Sequence, residues 1–492
     1  MGSISSAFGI IKGALEADQS ALSVVAGNVA NANTPGYTEE KPTWQENSPV
    51  TINGTAYGTG VTETGATSVR DRVLLERLDQ QQQLASASSA RLQALDNMQT
   101  LFTPDSGSTS SQAGNIGSDL TSFFDSFSSL EANPTNNALR QQVLSTASIL
   151  AGDVSNAAAS LNAQRSALDQ EANGVASQVN ALTGAIAQLN QQIQSTSPNG
   201  DAGTLEDQRQ QDLSQLSQLV GINQITTENN GLTITTAGGQ ALVAEGVSTP
   251  LTTGMVNGVT DFFVGSTNVT ADLATGGGQL GGYLTARDQD IPNVLSSLDQ
   301  LAFGVATEAN LQNGAGTDLN GAAGGDIFAP PAQVAGSAAN MSVAMTDPNG
   351  IAAAAAGAGA GSGDNSNVVA LANMGNQGAP PVLVGYTVPG TSTPLAAGQG
   401  LLNQQTPSNY YSGMVTTLGS TVSQVQTENT AQQASVTQLQ SQNNALSEVN
   451  LNDEASAMTT LERSYQAASQ VFTMLNTLMA AALNLGDQVA VS

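Results

Sequence analysis

The sequence predicts a mainly α protein. Terminal coiled-coil helices flank an elongated antiparallel helical bundle that carries small β elements and a small Gly/Ala-rich insertion. Three observations predict this. Apolar residues recur at alternating spacings of four and three at both chain ends, a repeat that keeps one helix face turned toward a partner. Between the ends, long Gln- and Asn-rich segments hold a similar periodicity. Only 4% of the 492 residues are aromatic and 10% are charged, a make-up suited to long polar-faced helices rather than to a compact catalytic globule.

The opening stripe is Ile4, Phe8, Ile11, Leu15, Leu22, Val25 and Val29, interrupted by Asp18. Its helix, over about 3–31, stops at Asn31-Ala-Asn33-Thr34-Pro35-Gly36-Tyr37, because Pro35 lacks an N–H and restricts Thr34 while Gly36 permits positive φ. Residues 38–69 turn to Thr, Gly and scattered β-branched residues around the single tryptophan, Trp44, and read as an extended arm or hairpins. Residues 70–221 form the first part of the bundle. Leu74, Leu78, Leu92, Leu95 and Phe102 mark one face, Leu120, Phe123, Phe127 and Leu130 another. The longest run, 137 to about 195, places Leu161, Leu168, Val175, Val179, Leu182, Ile186, Leu189 and Ile193 in heptad register, and a shorter helix over 205–220 ends at Gly221. Long helices with short polar breaks favour antiparallel packing.

From 222 to 282 the pattern becomes β. Leu232 and Ile234 alternate with Thr between Asn230-Gly231 and Gly238-Gly239. Residues 283–313 return to the bundle through Ile291, Leu295, Leu298 and Val305. Residues 314–400 are the Gly/Ala-rich insertion, a small outer domain or loops; 352–361 has linker composition, and a short β insertion is expected near 341–345. The last part of the bundle, 401–449, carries Leu418, Val422, Val425, Val436, Leu439 and Leu446. Its register predicts apolar residues at 450 and 457, whereas the closing stripe uses 451 and 458. The one-residue slip marks a junction. The closing stripe, over 450–492, is Leu451, Met458, Leu461, Tyr465, Ala468, Phe472, Leu475, Met479 and Ala482, with Glu454 as its polar intruder.

Eleven basic residues face 39 acidic ones, a formal charge of −28. Such a surface repels phosphate, so no nucleic-acid partner is expected, and it keeps free monomers apart. Cysteine and histidine are absent, which removes disulfides, Cys/His zinc sites and thiol or imidazole catalysis. Asp318, Asp326 and Asp364 stand among glycines but lack EF-hand spacing and read as turn residues. With no Walker-type loop either, the chain is expected to be no enzyme, with no metal or cofactor. No membrane partner is expected, since no run approaches the roughly 18 apolar residues of a span. The N-terminus lacks the features of a cleaved secretory signal. Met1-Gly2 with Ser6 matches the myristoylation pattern, and Gly2 is more simply a loose helix start.

The segment Ala26-Gly-Asn-Val-Ala-Asn-Ala-Asn-Thr-Pro-Gly-Tyr37, the terminal stripes and Val449-Asn-Leu-Asn-Asp-Glu454 together resemble the axial proteins of the bacterial flagellum, a group of rod, hook and junction subunits. Leu205-Glu-Asp-Gln-Arg-Gln-Gln-Asp-Leu213 and Gly281-Gly-Tyr-Leu-Thr-Ala-Arg287 look like segments of the hook-associated protein 1 family within it. The resemblance covers about 1–315 and 400–492. It departs at Thr38-Glu-Glu-Lys-Pro42, where many relatives carry a Ser-Arg-Gln-like continuation, and in the short 330–390 region, so a large outward β domain is not expected.

The resemblance implies an extracellular ring or short helical layer, with hook protein on one side and a second junction protein or the filament on the other. It also implies unfolded export through the flagellar type III channel without a cleaved signal peptide, and an export chaperone at the C-terminal region. Another axial protein, such as a hook protein, or a secreted helical effector or adhesin remain the alternatives. The expected assembly seam sets Phe8, Ile11, Leu15, Leu22, Val25 and Val29 against Leu451, Met458, Leu461, Tyr465, Phe472, Leu475 and Met479. The stop at Asn31, Asn33, Thr34, Pro35, Gly36 and Tyr37 bounds it. Each large side chain buried there contributes ~1.5–3 kcal/mol before ordering costs. The ends are therefore expected to be mobile in the free monomer and ordered on docking.

Overall fold

A computed structural model describes residues 2–52, 54–103, 116–196, 201–256 and 258–489; the side chain of Ile4 lies outside the described residues. The fold is mainly α with small antiparallel sheets, and the chain divides into two units.

The first unit comprises residues 1–85, 176–272 and 432–492. Helix α1 (Gly2–Asn31) leads into strands β1 (Glu40–Glu46), β2 (Val50–Ile52), β3 (Thr55–Tyr57) and β4 (Val61–Ser68). β1 pairs with β4 and β2 with β3, all antiparallel, so residues 40–68 form one two-stranded ribbon with a bulge beside Trp44. The base of the ribbon lies on α1. A Cβ added to Gly13 would meet the Val61 carbonyl at 2.9 Å, so only glycine lets the strand approach this closely.

The body of this unit holds the start of α2 (Arg72–Phe102), the end of α4 (Asn137–Thr196), α5 (Thr204–Leu219) and the end of α10 (Pro407–Ser447), and the chain closes with α11 (Leu451–Val489). Strands β5 (Ile222–Thr226), β6 (Leu232–Thr236), β7 (Ala241–Ala244) and β8 (Val247–Ser248) make a four-stranded meander. β9 (Leu251–Val256), β10 (Val259–Val264) and β11 (Thr267–Asn268) make a three-stranded one. Ile186, Ile193, Leu216, Ile234, Leu242 and Phe262 are fully buried here.

Two asparagines of α4 reach strands. Asn180 bonds both backbone groups of Leu251 (2.8 and 2.7 Å), and Asn190 donates to the carbonyls of Leu232 and Glu245. Strand-end groups that no neighbouring strand can satisfy are thus paired by amides on the helix.

The second unit comprises residues 86–175 and 273–431. It contains the rest of α2, helix α3 (Ile116–Glu131), the first part of α4, α7 (Gly278–Thr285), a π-helical turn at Ala286–Asp290, α8 (Ile291–Gly314), α9 (Ser366–Met374) and the first part of α10. Its core centres on Phe123, whose ring lies 5.1 Å from Phe124, 5.1 Å from Phe127 and 5.4 Å from Phe328.

Helix resumes earlier than the glycine-rich text suggested, with α6 (Thr270–Gly276) and then α7. The reason is packing. A Cβ at Gly282 would collide with the Ala87 carbonyl of α2, so glycine inside α7 serves helix contact rather than a turn. Arg287, almost fully buried, then pairs with Asp169 of α4 at 2.6 Å and with Asp288.

The Gly/Ala-rich segment is irregular but not loose. Near 341–345 there is only an isolated bridge, Phe328 to Val343. Residues 352–354, at the start of the stretch with linker composition, are buried. Asparagines replace a sheet here. Asn310 receives the N–H groups of Ile327 and Phe328 and donates to the Phe328 carbonyl, while Asn313 receives from Ala352 and donates to Gly325. Asn367 of α9 donates to the Ala352 carbonyl. Small residues let this backbone come close enough to be held by amides, and composition cannot distinguish that use of Gly and Ala from a linker.

Candidate assembly interface

The opening and closing stripes lie on facing helices. Phe8 meets Phe472 with ring centroids 4.6 Å apart and planes tilted by 50°. Asn28, late in α1, bonds Glu454, early in α11. The early part of one helix thus meets the late part of the other, and the pair is antiparallel.

On α11 the inward face is Met458, Leu461, Ala468, Phe472 and Leu475, all half-buried, with Glu454 the one buried residue of the helix among those described. Leu451 (50% exposed), Tyr465 (39%) and Met479 (36%) are left open. On α1, Phe8, Ile11, Leu15 and Leu22 are half-buried, Val25 is buried and Val29 is 42% exposed. Sequence reasoning missed three buried positions on α1: Ala17, Ala21 and Asn28. A heptad template assumes one partner, whereas α1 has two, α11 and the ribbon. Ser20 marks the second face by donating to Glu63 of β4.

The helix stop forms as a local turn. Thr34 N–H bonds the Asn31 carbonyl at 2.8 Å, Tyr37 N–H bonds the Thr34 carbonyl at 3.2 Å, and Gly36 sits at φ 81°. Asn31 caps its own helix through the Gly27 carbonyl. Asn33, Thr34, Pro35 and Gly36 are exposed along a cleft of about 620 Å³, opposite Gln210, Gln440 and Asn443.

Tyr37 turns inward and donates to Asn28 Oδ1 at 2.9 Å. Asn28 Oδ1 also accepts Glu40 N–H (3.0 Å), and its Nδ2 donates to the Glu40 carbonyl (2.9 Å) and to Glu454 Oε1 (2.8 Å). One buried amide therefore ties α1, the stop, the ribbon and α11 together. Burial, followed by the carboxylates Glu40, Asp207 and Glu454, pushes the Tyr37 hydroxyl up to about 12, so it remains a donor. Burial also raises Glu454 above the usual carboxylate range, against the lowering bond from Asn28.

A second cluster adjoins the first. Thr38 bonds Asp207 through its N–H and hydroxyl (3.1 and 2.7 Å). Arg70, at the end of the ribbon, bridges Glu206 (2.5 Å) and Asp207 (2.6 Å), and Arg72 adds a bond to Glu206. Glu206 and Asp207 open α5, where carboxylates also complement the helix dipole. Arg209 of the same helix donates to Asn190 and the Asn230 carbonyl; burial and the guanidinium groups of Arg72 and Arg70 lower it to about 10 against the pull of Glu206. Among the described residues no group of three or more acidic, His or Cys side chains could hold a metal ion, and no helix is long and apolar enough to cross a membrane.

Residues 106–328 match the flagellar hook-associated protein FlgK helical domain, and residues 12–38 match the flagella basal body rod protein family. The chain is 28% identical to flagellar hook-associated protein 1 of Bacillus subtilis (strain 168) across 96% of both chains. It is also 28% identical to that of Escherichia coli (strain K12), across 64% of this chain and 58% of the relative, so this match spans little more than half of the enterobacterial protein. These matches make the chain similar to the flagellar hook-associated protein 1 family. The solved flagellar hook junction protein FlgK from Burkholderia pseudomallei shares the fold, with a TM-score of 0.60 at 18% identity over 74% of this chain and 99% of that one. The two segments that carry the family likeness both do structural work here. Residues 205–213 supply Glu206, Asp207 and Arg209, and residues 281–287 supply the glycine contact and the buried Arg287.

Proposed function

We propose that this chain is a structural, non-catalytic subunit at the hook–filament junction of the bacterial flagellum, exported unfolded and assembled outside the cell through its terminal helices. The observation that carries the reading is α11. It is long and carries an apolar stripe, yet among its described residues only Glu454 is fully buried on its own chain. A helix this exposed gains most of its stability from packing that the monomer does not supply. Copies in a ring or short helical layer would supply it. The seam Phe8, Ile11, Leu15, Leu22, Val25 and Val29 with Met458, Leu461, Phe472 and Leu475 would order the terminal pair, and Leu451, Tyr465 and Met479 would face neighbours.

Hook protein on one side and a second junction protein or the filament on the other are the partners this reading assigns. Before export the same apolar α11 would suit a chaperone. The test is deletion of the gene in a flagellated strain. Hooks without filaments, with flagellin in the medium, are expected; filaments in normal number on hooks lacking the chain overturn the proposal.

A further inference from the structure

The ribbon's outer half, β2–β3, is an isolated two-stranded hairpin, and every side chain described in it is exposed. Two strands alone are marginally stable in water. Val50 and Tyr57 are direct cross-strand partners on one face, 47% and 54% exposed. About half of each side chain in this apolar pair stays open to solvent.

A second bare patch lies on α11. Val471 (41% exposed), Met474 (62%) and Leu478 (54%) fall at i, i+3 and i+7, a stripe beside the one that faces α1. Both patches lie in uncharged sequence. Residues 47–62 and 464–486 contain no Asp, Glu, Lys or Arg, in a chain whose formal charge is −28. Copies of so acidic a chain repel one another, so they can meet closely only where charge is missing.

We propose that the β2–β3 hairpin of one copy docks, through Val50 and Tyr57, on the Val471–Met474–Leu478 stripe of the next. The inference rests on the self-assembly reading above and names the surfaces that carry it. Hairpin on hairpin, or stripe on stripe, would close as a two-fold dimer and stop. Hairpin on stripe is heterologous, and repeats around a ring or along a helix.

The native chain contains no cysteine, so introduced thiols report cleanly. Flagella isolated from cells expressing Tyr57→Cys/Met474→Cys are oxidised and the junction protein is resolved by size. A ladder of covalent dimers and higher oligomers is expected from the double variant, with each single variant monomeric. Monomer alone from the double variant, or dimer from either single variant, overturns the hairpin-on-stripe contact.

Val50→Asp/Tyr57→Asp gives an independent arm. Its purified monomer should melt as the wild type does, while cells lose filaments and keep hooks. Undiminished filaments, or a lower monomer melting temperature, overturn the contact. Neither result touches the junction reading, which stands or falls on the deletion strain.

Discussion

Asn28 shows how one side chain can fix an arrangement that apolar packing leaves free. An apolar seam can slide by a heptad at modest cost, whereas a buried amide with four partners fits one register. Asn28→Ala strands the Tyr37 hydroxyl, both backbone groups of Glu40 and Glu454 Oε1. Each buried group left without a partner costs about 1–3 kcal/mol, and neighbouring water repays part of this, so a net loss of about 2–4 kcal/mol from the terminal arm is expected. Glu454→Gln keeps an acceptor for Asn28 and should cost under about 1 kcal/mol. Trp44, the single tryptophan, sits in the ribbon beside α1, so thermal melts followed by its fluorescence compare the two variants directly; equal shifts would contradict the pin. The sequence exposed Glu454 as an intruder in an apolar stripe but not its partner, which lies 426 residues away. Carboxyl burial sets a second expectation. Burial raises Glu308 to about 8 from 4.5 and Asp79 to about 6 from 3.8, and burial with a hydrogen bond to Asp153 raises Asp119. The folded chain then holds these protons longer than the unfolded chain, so the stability they contribute is full below about pH 4 and is lost as pH rises through about 6 and then 8. Calorimetric melting temperature should fall from pH 5 to pH 8.5, and Glu308→Gln should remove the upper part of that fall.

Elements differ in how far the chain announces them. The closing stripe is legible in part: the half-buried Met458, Leu461, Ala468, Phe472 and Leu475 keep heptad spacing, whereas Leu451, Tyr465 and Met479 stay exposed. α1 is legible as a helix but not as a set of buried residues, because the ribbon claims a second face and brings in Ala17 and Ala21. α9 was hidden because nine residues with Val368, Leu371 and Ala372 inward give too little periodicity beside Gly/Ala text. The same difference in cover predicts an order of cleavage. α11 has one half-buried face and β2–β3 has none, whereas α1 buries Ala17, Ala21, Val25 and Asn28 between its two neighbours. Local opening is easiest where few apolar contacts hold the backbone. Limited proteolysis of purified monomer should therefore remove about the last 40 residues and nick the hairpin first, then release the opening helix, and leave a resistant middle. Intact flagella should protect both ends. Mass spectrometry of early fragments checks the order, and ends that resist in a proven monomer would remove the basis for folding on assembly.

At the scale of the whole molecule, charge and apolar surface pull in opposite directions. The net charge of −28 makes free copies repel, while the bare α11 face favours their association. Repulsion between solvent-exposed charges acts over the Debye length, roughly 30 Å at 0.01 M salt and about 8 Å at 0.15 M. The apolar term is a contact term and weakens little over that range. Screening should therefore tip the balance toward assembly: light scattering of the purified chain should show mainly monomer at low ionic strength, with oligomers growing as salt rises to physiological strength. The choice of uncharged sequence for both 47–62 and 464–486 sharpens the expectation. If those patches carry the association, Met474→Asp should restore monomer at high salt without changing the monomer's melting temperature, because Met474 is 62% exposed. A salt response that survives Met474→Asp would place the association on another surface, and salt-driven loss of oligomers would show that ion pairs, not apolar contact, hold the copies together.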